Sequence, residues 1–102
     1  MDILARIKHA VLGGHIGFTR KARDEMEADG ITEGDVVESI ACAGAIHKRL
    51  RSTNSSRSQS REYLYVILNT NLRGTLIYTK GKLVSEAGVE TFYLLVSSKL
   101  AL

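Results

Sequence analysis

The sequence contains no proline, and its 102 residues include no apolar run of the ~20 residues that a membrane-spanning helix needs. Without proline, no candidate strand is restricted to a sheet edge by a missing backbone donor. The first residues contain Asp2 and lack the apolar stretch of a secretory signal, so we expect a cytoplasmic protein that does not enter a membrane. A chain of this length with 44% apolar residues predicts one domain over residues 1–102.

The motifs of common cofactor and metal sites are also missing. The sequence has no GxGxxG, no Walker-type phosphate loop, no CxxC pair and no GxSxG motif. Its three histidines, His9, His15 and His47, are dispersed and lack the spacing of metal ligands. We therefore expect no metal and no small-molecule cofactor, and the sequence supports neither a serine hydrolase nor a zinc hydrolase.

The single cysteine, Cys42, excludes an internal disulfide. It stands among Ile40, Ala41 and Ala43, and a free cysteine in apolar surroundings behaves as a small hydrophobic residue. No histidine is close to it in sequence to stabilise a thiolate. We expect an inert, buried side chain rather than a nucleophile.

The charges are divided unevenly along the chain, although the net charge is only +3. Residues 1–38 hold eight carboxylates and five Lys or Arg, whereas residues 39–102 hold three carboxylates and nine Lys or Arg. Residues 40–61 contain no carboxylate. This pattern is typical of a protein whose second half faces a polyanion, although a basic, solvated surface accounts for it equally well.

Two helices are predicted before residue 31. Residues 2–12 place apolar side chains at helical spacing, and Gly13 and Gly14 follow as a stop signal. Thr19 has the position of an N-cap for a second helix, which should end at Gly30.

A third helix has the clearest local signal. Thr32 and Asp35 have the spacing of a capping box, and the helix should bury Val36 and Ile40 before it stops at Gly44. Seven carboxylates lie between residues 24 and 38. We expect them to form a solvated helical surface rather than a catalytic pair, because no apolar pocket nearby would raise the pKa of an acid.

The second half alternates with the period of β-strands. Residues 45–51 predict an edge strand, since a central strand rarely carries so much charge. Residues 62–68 and 75–79 predict a hairpin joined by a turn rich in Asn and Gly. Residues 90–99 predict a last strand, and strict alternation gives Lys99 the same face as Tyr93, Leu95 and Ser97.

Two stretches between the strands are predicted to be irregular. Residues 52–60 contain no apolar side chain and should form a mobile surface loop. Residues 83–89 should form a loop or a short bridge. The order of elements predicts an α+β fold, in which N-terminal helices pack on a mainly antiparallel four-stranded sheet; one further short strand near His15 is an alternative.

Basic and phenolic side chains are the remaining candidates for chemistry. Arg and Lys bind phosphate, and Tyr stacks on an exposed base. RNA cleavage requires deprotonation of a 2′-hydroxyl, neutralisation of the phosphorane charge and protonation of the 5′-oxygen, and Tyr, Lys and Arg can supply these functions. The alternative is that the tyrosines pack in the core while Lys and Arg solvate the surface. The tyrosines concerned are Tyr63, Tyr65, Tyr78 and Tyr93.

Four segments carry a resemblance to a known group of proteins: ILARIKHAVLGGHIGFTRKARDEMEADGITEGDVVESI, LRS, GTLIYTKGK and FYLLVSSK. Their pattern resembles that of the MqsR-type toxins and of a related family of small bacterial domains of unknown function. These proteins share the RelE-like fold, and the toxins are ribosome-independent mRNA endoribonucleases. The resemblance implies a RelE-like fold, RNA as a substrate and a cognate antitoxin protein as a partner.

The resemblance also implies site residues. Lys48, Tyr78 and Lys99 stand where the toxins have catalytic residues, and we expect them to meet at one edge of the sheet. The catalytic Gln of the toxins has no match, since Gln59 falls in the predicted loop and Arg61 aligns instead. The implied function is metal-free, toxin-like cleavage of single-stranded RNA; the alternative is a non-catalytic RelE-like domain that binds nucleic acid or a partner protein. The side chains expected to bind RNA are Arg49, Arg51, Arg57, Arg61, Lys80 and Lys82.

Overall fold

The computed structural model describes residues 2–51 and 62–102 of the chain. The predicted loop at residues 52–60 lies outside the described residues. Among the described helices, none is long and apolar enough to cross a membrane. In chain order the elements are α1 (Ile3–Leu12), β1 (Ile16–Phe18), α2 (Arg20–Asp29), α3 (Glu33–Ala41), β2 (Lys48–Arg51), β3 (Tyr63–Thr70), β4 (Leu76–Glu86) and β5 (Val89–Leu100).

The strands form one five-stranded sheet in the order β1-β5-β4-β3-β2. The prediction of an α+β fold is confirmed; the prediction of four strands is wrong, and its alternative of a further short strand near His15 is confirmed. The additional strand, β1, runs parallel to β5, so the sheet is mixed. Three residues are too few to show a periodic pattern, and β1 exists because Ile16 and Phe18 pair with Tyr93 and Leu95 of a distant strand.

The helix ends lie where the sequence predicts them, except that α3 ends at Ala41, before the predicted stop at Gly44. Asp2 and Thr19 accept hydrogen bonds from the first turns of α1 and α2, and Gly30 ends α2 with a φ of 71°, a conformation that glycine adopts without strain. Thr32 and Asp35 form the reciprocal capping box of α3. The boundaries of the helices are therefore set by local side-chain to backbone bonds.

The prediction of a buried cysteine is wrong, because Cys42 is exposed. The buried stripe of α3 follows Val36, Ser39 and Ile40, and its next helical position is Ala43, which is 2% exposed. Cys42 caps the C-terminus of α3 and lies off that stripe.

The three helices in the described residues pack on one face of the sheet. The sheet contributes alternate residues to this core, among them Ile67, Ile77, Tyr93 and Leu95, all fully buried. Each helix contributes a thin apolar stripe to the core. The side chains are Ile7 and Val11 of α1, Met26 of α2, and Val36 and Ile40 of α3. We call the opposite side of the sheet, against which no described helix packs, the open face.

Strands β4 and β5 form a long hairpin where the sequence analysis predicts a loop at residues 83–89. The turn consists of Ala87 and Gly88 alone, with φ angles of 52° and 79°. Two successive positive φ angles are characteristic of the tight turn that matches the twist of a β-hairpin. The prediction is wrong because an Ala-Gly pair is a weaker turn signal than Asn-Gly, and because Leu83 and Val84 continue the strand.

A β-bulge interrupts the pairing of β4 with β5. Lys80 pairs with Ser97 whereas the next residue, Gly81, pairs with Leu95, so Val96 is an extra residue in β5. Gly81 at this point lies against the Tyr93 ring, and a Cβ atom there would approach two ring carbons to 2.7 Å. A side chain at position 81 would therefore overlap the buried Tyr93 ring, and glycine avoids this overlap.

Helix α2 closes the edge of β5 beyond the end of β1. The Glu25 carboxylate accepts a hydrogen bond from the Ser98 amide at 3.1 Å and from the Ser97 hydroxyl at 2.8 Å. The Asp29 carboxylate accepts from the Leu100 amide at 2.9 Å. These two acids satisfy strand donors that would otherwise be exposed at an unpaired edge, so the prediction of a merely solvated acidic surface is wrong for them.

The turn between β3 and β4 is attached to the start of α3 through Asp35, which is 6% exposed. Its carboxylate accepts from the Asn71 amide group at 3.1 Å and from the Arg73 guanidinium at 3.0 Å. The hydrogen bond from the Thr32 backbone is the largest of several that hold the pKa of Asp35 below its usual range, and Asn71 and Arg73 add to it. Asp35 is thus a structural acid at a junction of two elements.

Replacing Gly81 with Ala should lower the free energy of unfolding by about 1–3 kcal/mol, because the new methyl group would overlap the Tyr93 ring and the Leu94 carbonyl oxygen. Urea denaturation of both proteins measures the difference. Gly44→Ala is the matched control, since nothing lies within 4 Å of a Cβ atom at that position. Equal stability of the two variants would contradict the packing described for Tyr93.

Asp35→Asn should destabilise the fold at neutral pH and much less in acid. The lowered pKa of Asp35 means that its ionised form stabilises the fold above the unfolded pKa of about 4, and that this contribution is lost as pH falls through the folded pKa. Unfolding free energies measured between pH 7 and pH 2 should therefore converge for the two proteins. Asp24→Asn, on the exposed side of α2, is the control and should change stability little at either pH.

Candidate nucleic-acid interface

The open face combines apolar and basic side chains. Side chains of the open face alternate along each strand with the core side chains of the helix side. Residues that pair across neighbouring strands lie on the same face, so the strand register identifies them. Leu68 and Leu76 are 37% and 42% exposed there. The described residues of this face that the strand register identifies include Lys48, Leu50, Leu64, Val66, Leu68, Leu76, Tyr78, Lys80, Lys82, Leu94 and Lys99.

Tyr78 and Lys99 form a contact on this face. They are cross-strand partners in the β4–β5 pairing, and the Lys99 Nζ atom lies 5.3 Å from the centroid of the Tyr78 ring. At this distance a cation is attracted to the face of an aromatic ring. The pair brings one ammonium group and one phenol together at an accessible position of the sheet.

The β-bulge determines the face on which Lys99 lies. Strict alternation along β5 predicts that Lys99 shares a face with Tyr93 and Leu95, and this prediction is wrong. Tyr93 and Leu95 are fully buried under the helices, but the extra residue, Val96, reverses the alternation between Leu95 and Lys99. A shift of one residue moves every later side chain of a strand to the opposite face. Lys99 thereby reaches Tyr78.

Lys48 shares the open face but lies apart from the other two predicted catalytic residues. It pairs with Val66, and Val66 pairs with Lys80, so Lys48 and Lys80 stand two strands apart, about 10 Å between backbones. Lys99 is three strands from Lys48, at least about 14 Å between backbones. The structure therefore joins Tyr78 to Lys99, whereas Lys48 occupies the edge strand.

The predicted RNA-binding residues are divided between the two sides of the sheet. Lys80 and Lys82 lie on the open face, and Lys82 forms an ion pair with Glu62 at 3.3 Å. Arg49 and Arg51 alternate with Lys48 and lie toward the helix side of the edge strand, where the Arg49 guanidinium is 4.6 Å from the Tyr63 ring centroid. Of the predicted set, Arg57 and Arg61 lie outside the described residues.

Three of the four tyrosines have a structural rather than an exposed position. Tyr65 and Tyr93 are buried in the core, and Tyr63 packs against it on the helix side. Burial raises the pKa of Tyr93, whose hydroxyl donates to the Tyr65 carbonyl oxygen at 3.5 Å. Tyr78 is the tyrosine of the open face, and among the four it alone lies where a substrate on that face can reach it.

Two cavities lie near the end of the β4–β5 hairpin, away from Tyr78 and Lys99. One of about 550 Å³ adjoins α1, and one of about 430 Å³ adjoins the start of β3. Arg6 and Glu90 form an ion pair that lines both cavities, and the hydrogen bond from Arg6 lowers the pKa of Glu90. This pair ties α1 to the hairpin.

The apolar part of the open face was not predicted. The alternation of residues 63–68 identifies two sets of side chains, but both sets are apolar or aromatic, so their pattern does not indicate which set faces the helices. Burial of Tyr65 and Ile67 under the helices leaves Leu64, Val66 and Leu68 on the open face.

Comparisons of the chain with protein-family models, with curated proteins and with solved structures found no match.

Neutralising the open face should weaken RNA binding and reduce its salt dependence. In Lys48→Gln/Lys80→Gln/Lys99→Gln, the slope of log affinity against log salt for a single-stranded oligonucleotide should fall by about 2, since each lost phosphate contact removes ~0.7. The control is Lys8→Gln/Arg20→Gln/Lys21→Gln, which removes the same charge from α1 and α2. An equal loss of slope in both triple variants would exclude the open face as the specific interface.

Proposed function

We propose that this chain is a toxin-like, ribosome-independent endoribonuclease that binds single-stranded RNA on the open face. The observation that supports the proposal most strongly is the contact of Tyr78 with Lys99 on a face that also carries Lys48, Lys80 and Lys82. We also propose that the fold is RelE-like, because helices cover one face of a mostly antiparallel sheet and leave the other face for a ligand.

The composition of the open face favours a single strand over a duplex. Bases of a single strand are unstacked and can lie on apolar and aromatic side chains such as Leu68, Leu76 and Tyr78, while lysines contact the phosphates. A duplex keeps its bases stacked inside and offers such side chains little to contact.

The proposed chemistry is acid–base catalysis by this chain's own groups. The 2′-oxygen attacks phosphorus as its proton leaves, the bond from phosphorus to the 5′-oxygen breaks, and that oxygen gains a proton. The products are a 2′,3′-cyclic phosphate and a 5′-hydroxyl. In this proposal the 2′-proton passes to water, and Tyr78 donates the proton that the 5′-oxygen gains and is then reprotonated from water. Lys99, over the Tyr78 ring, stabilises the negative charge that develops on the 5′-oxygen, and Lys48 stabilises that of the phosphorane.

A second candidate function is a non-catalytic domain that binds nucleic acid or a partner protein, such as an antitoxin, through the same face. Two observations favour it. The backbone of Lys48 is at least about 14 Å from that of Lys99, which is far for groups that act on one phosphodiester. Leu68 and Leu76 are also exposed enough to pack against a protein.

If the chain is a ribonuclease, Tyr78→Phe, Lys99→Ala and Lys48→Ala should each lower the cleavage rate by roughly 10²-fold, the effect of losing an acid–base or charge-stabilising group. The measurement is the rate at which a labelled oligoribonucleotide yields 2′,3′-cyclic phosphate ends. Tyr63→Phe is the matched control, because this tyrosine lies on the helix side. It should cleave at the wild-type rate.

Expression in a bacterium separates the two candidate functions in cells. A ribonuclease should arrest growth and deplete total mRNA, and Tyr78→Phe should relieve both effects. Normal growth and intact mRNA with the wild-type chain, together with retained RNA binding in vitro, would favour the non-catalytic alternative.

A further inference from the structure

Lys80 has a position on the open face that none of the three predicted catalytic residues has. It follows Tyr78 by two residues on β4, so both side chains leave the same side of the strand about 7 Å apart at the backbone. Across the sheet, Val66 separates Lys80 from Lys48. Lys80 therefore stands between the Tyr78–Lys99 pair and the edge strand.

Two other lysines of this face have neighbours that limit them. Lys82 is paired with Glu62, and the Lys99 ammonium lies over the Tyr78 ring. Lys80 is half-buried, and none of the carboxylates in the described parts of the chain lies within ion-pair distance of it. A half-buried ammonium group without a counter-ion interacts more strongly with an anion than a fully solvated one does.

We propose that Lys80 is a further catalytic residue, the cation that contacts the non-bridging oxygens of the scissile phosphate; this inference rests on the proposed ribonuclease function. Lys48 and Lys80 flank Val66, whose side chain is fully buried, so a phosphate that bridges the two ammonium groups lies over it; Tyr78 is two residues from Lys80 on the same face of β4. Negative charge on these oxygens grows as the 2′-oxygen bonds to phosphorus, so a fixed cation there stabilises the transition state more than the bound substrate.

This assignment also accounts for the separation of Lys48 from Lys99. Lys48 lies on β2, two strands from β4, which carries Tyr78. Lys80 lies on β4 in register with Lys48 through Val66. Lys48 and Lys80 then hold the reacting phosphate. Tyr78, with Lys99 over its ring, donates the proton to the 5′-oxygen.

The test compares Lys80→Met with Lys8→Met, which lies on α1 away from the open face; each variant removes one charge and keeps the apolar stem. The substrate is a labelled oligoribonucleotide of mixed sequence, and the readouts are kcat, KM and the melting temperature. Lys80→Met should lower kcat by about 10²-fold with a KM within a few-fold of wild type. Lys8→Met should leave both kcat and KM unchanged.

Two results would overturn the proposal in distinguishable ways. If the wild type produces cyclic phosphate ends and Lys80→Met keeps kcat within a few-fold of wild type, Lys80 is not catalytic and the ribonuclease function stands. If the wild type produces no such ends while it binds the oligonucleotide, the proposed function fails and the role of Lys80 fails with it. An unchanged melting temperature in Lys80→Met confirms that a loss of kcat does not come from unfolding.

Discussion

The packing of Tyr93 against Gly81 is the constraint on which the arrangement of the open face depends. Tyr93 is fully buried, and its ring occupies the space in which any side chain at position 81 would stand. The pairing of β4 with β5 changes at this point, and the extra residue in β5 keeps Leu95 in the core while it turns Lys99 outward. The contact of Lys99 with Tyr78 is thus a consequence of how the core is filled on the other side of the sheet.

Local signals in the sequence were sufficient for much of the fold. The caps at Thr19 and Thr32 depend on residues three positions apart, and they lie where the sequence predicts them. The sequence offered a short strand near His15 only as an alternative, and the parallel pairing of β1 and the face of Lys99 could not be predicted, because both depend on distant strands. Of the candidate site, the residue types and their strands were predictable, whereas their proximity required the register.

The two sides of the sheet have different physical roles. On the helix side, carboxylates of α2 and α3 bind backbone and turn groups: Glu25 and Asp29 satisfy the edge of β5, and Asp35 holds the β3–β4 turn. Some of the carboxylates of residues 1–38 therefore stabilise the fold. On the open face, Lys80 has no described counter-ion, so the basic half offers positive charge to an external anion.

The central claim is that the open face binds single-stranded RNA. The most direct measurement is the change in backbone amide chemical shifts during titration with a 2′-O-methylated single-stranded oligonucleotide, which cannot be cleaved by attack of its own 2′-oxygen. If the oligonucleotide binds the open face, the largest changes should cluster on three of its strands. These are β2 around Lys48, β4 around Tyr78 and Lys80, and β5 around Lys99. Changes confined to α2 and α3, or no changes at all, would contradict the central claim.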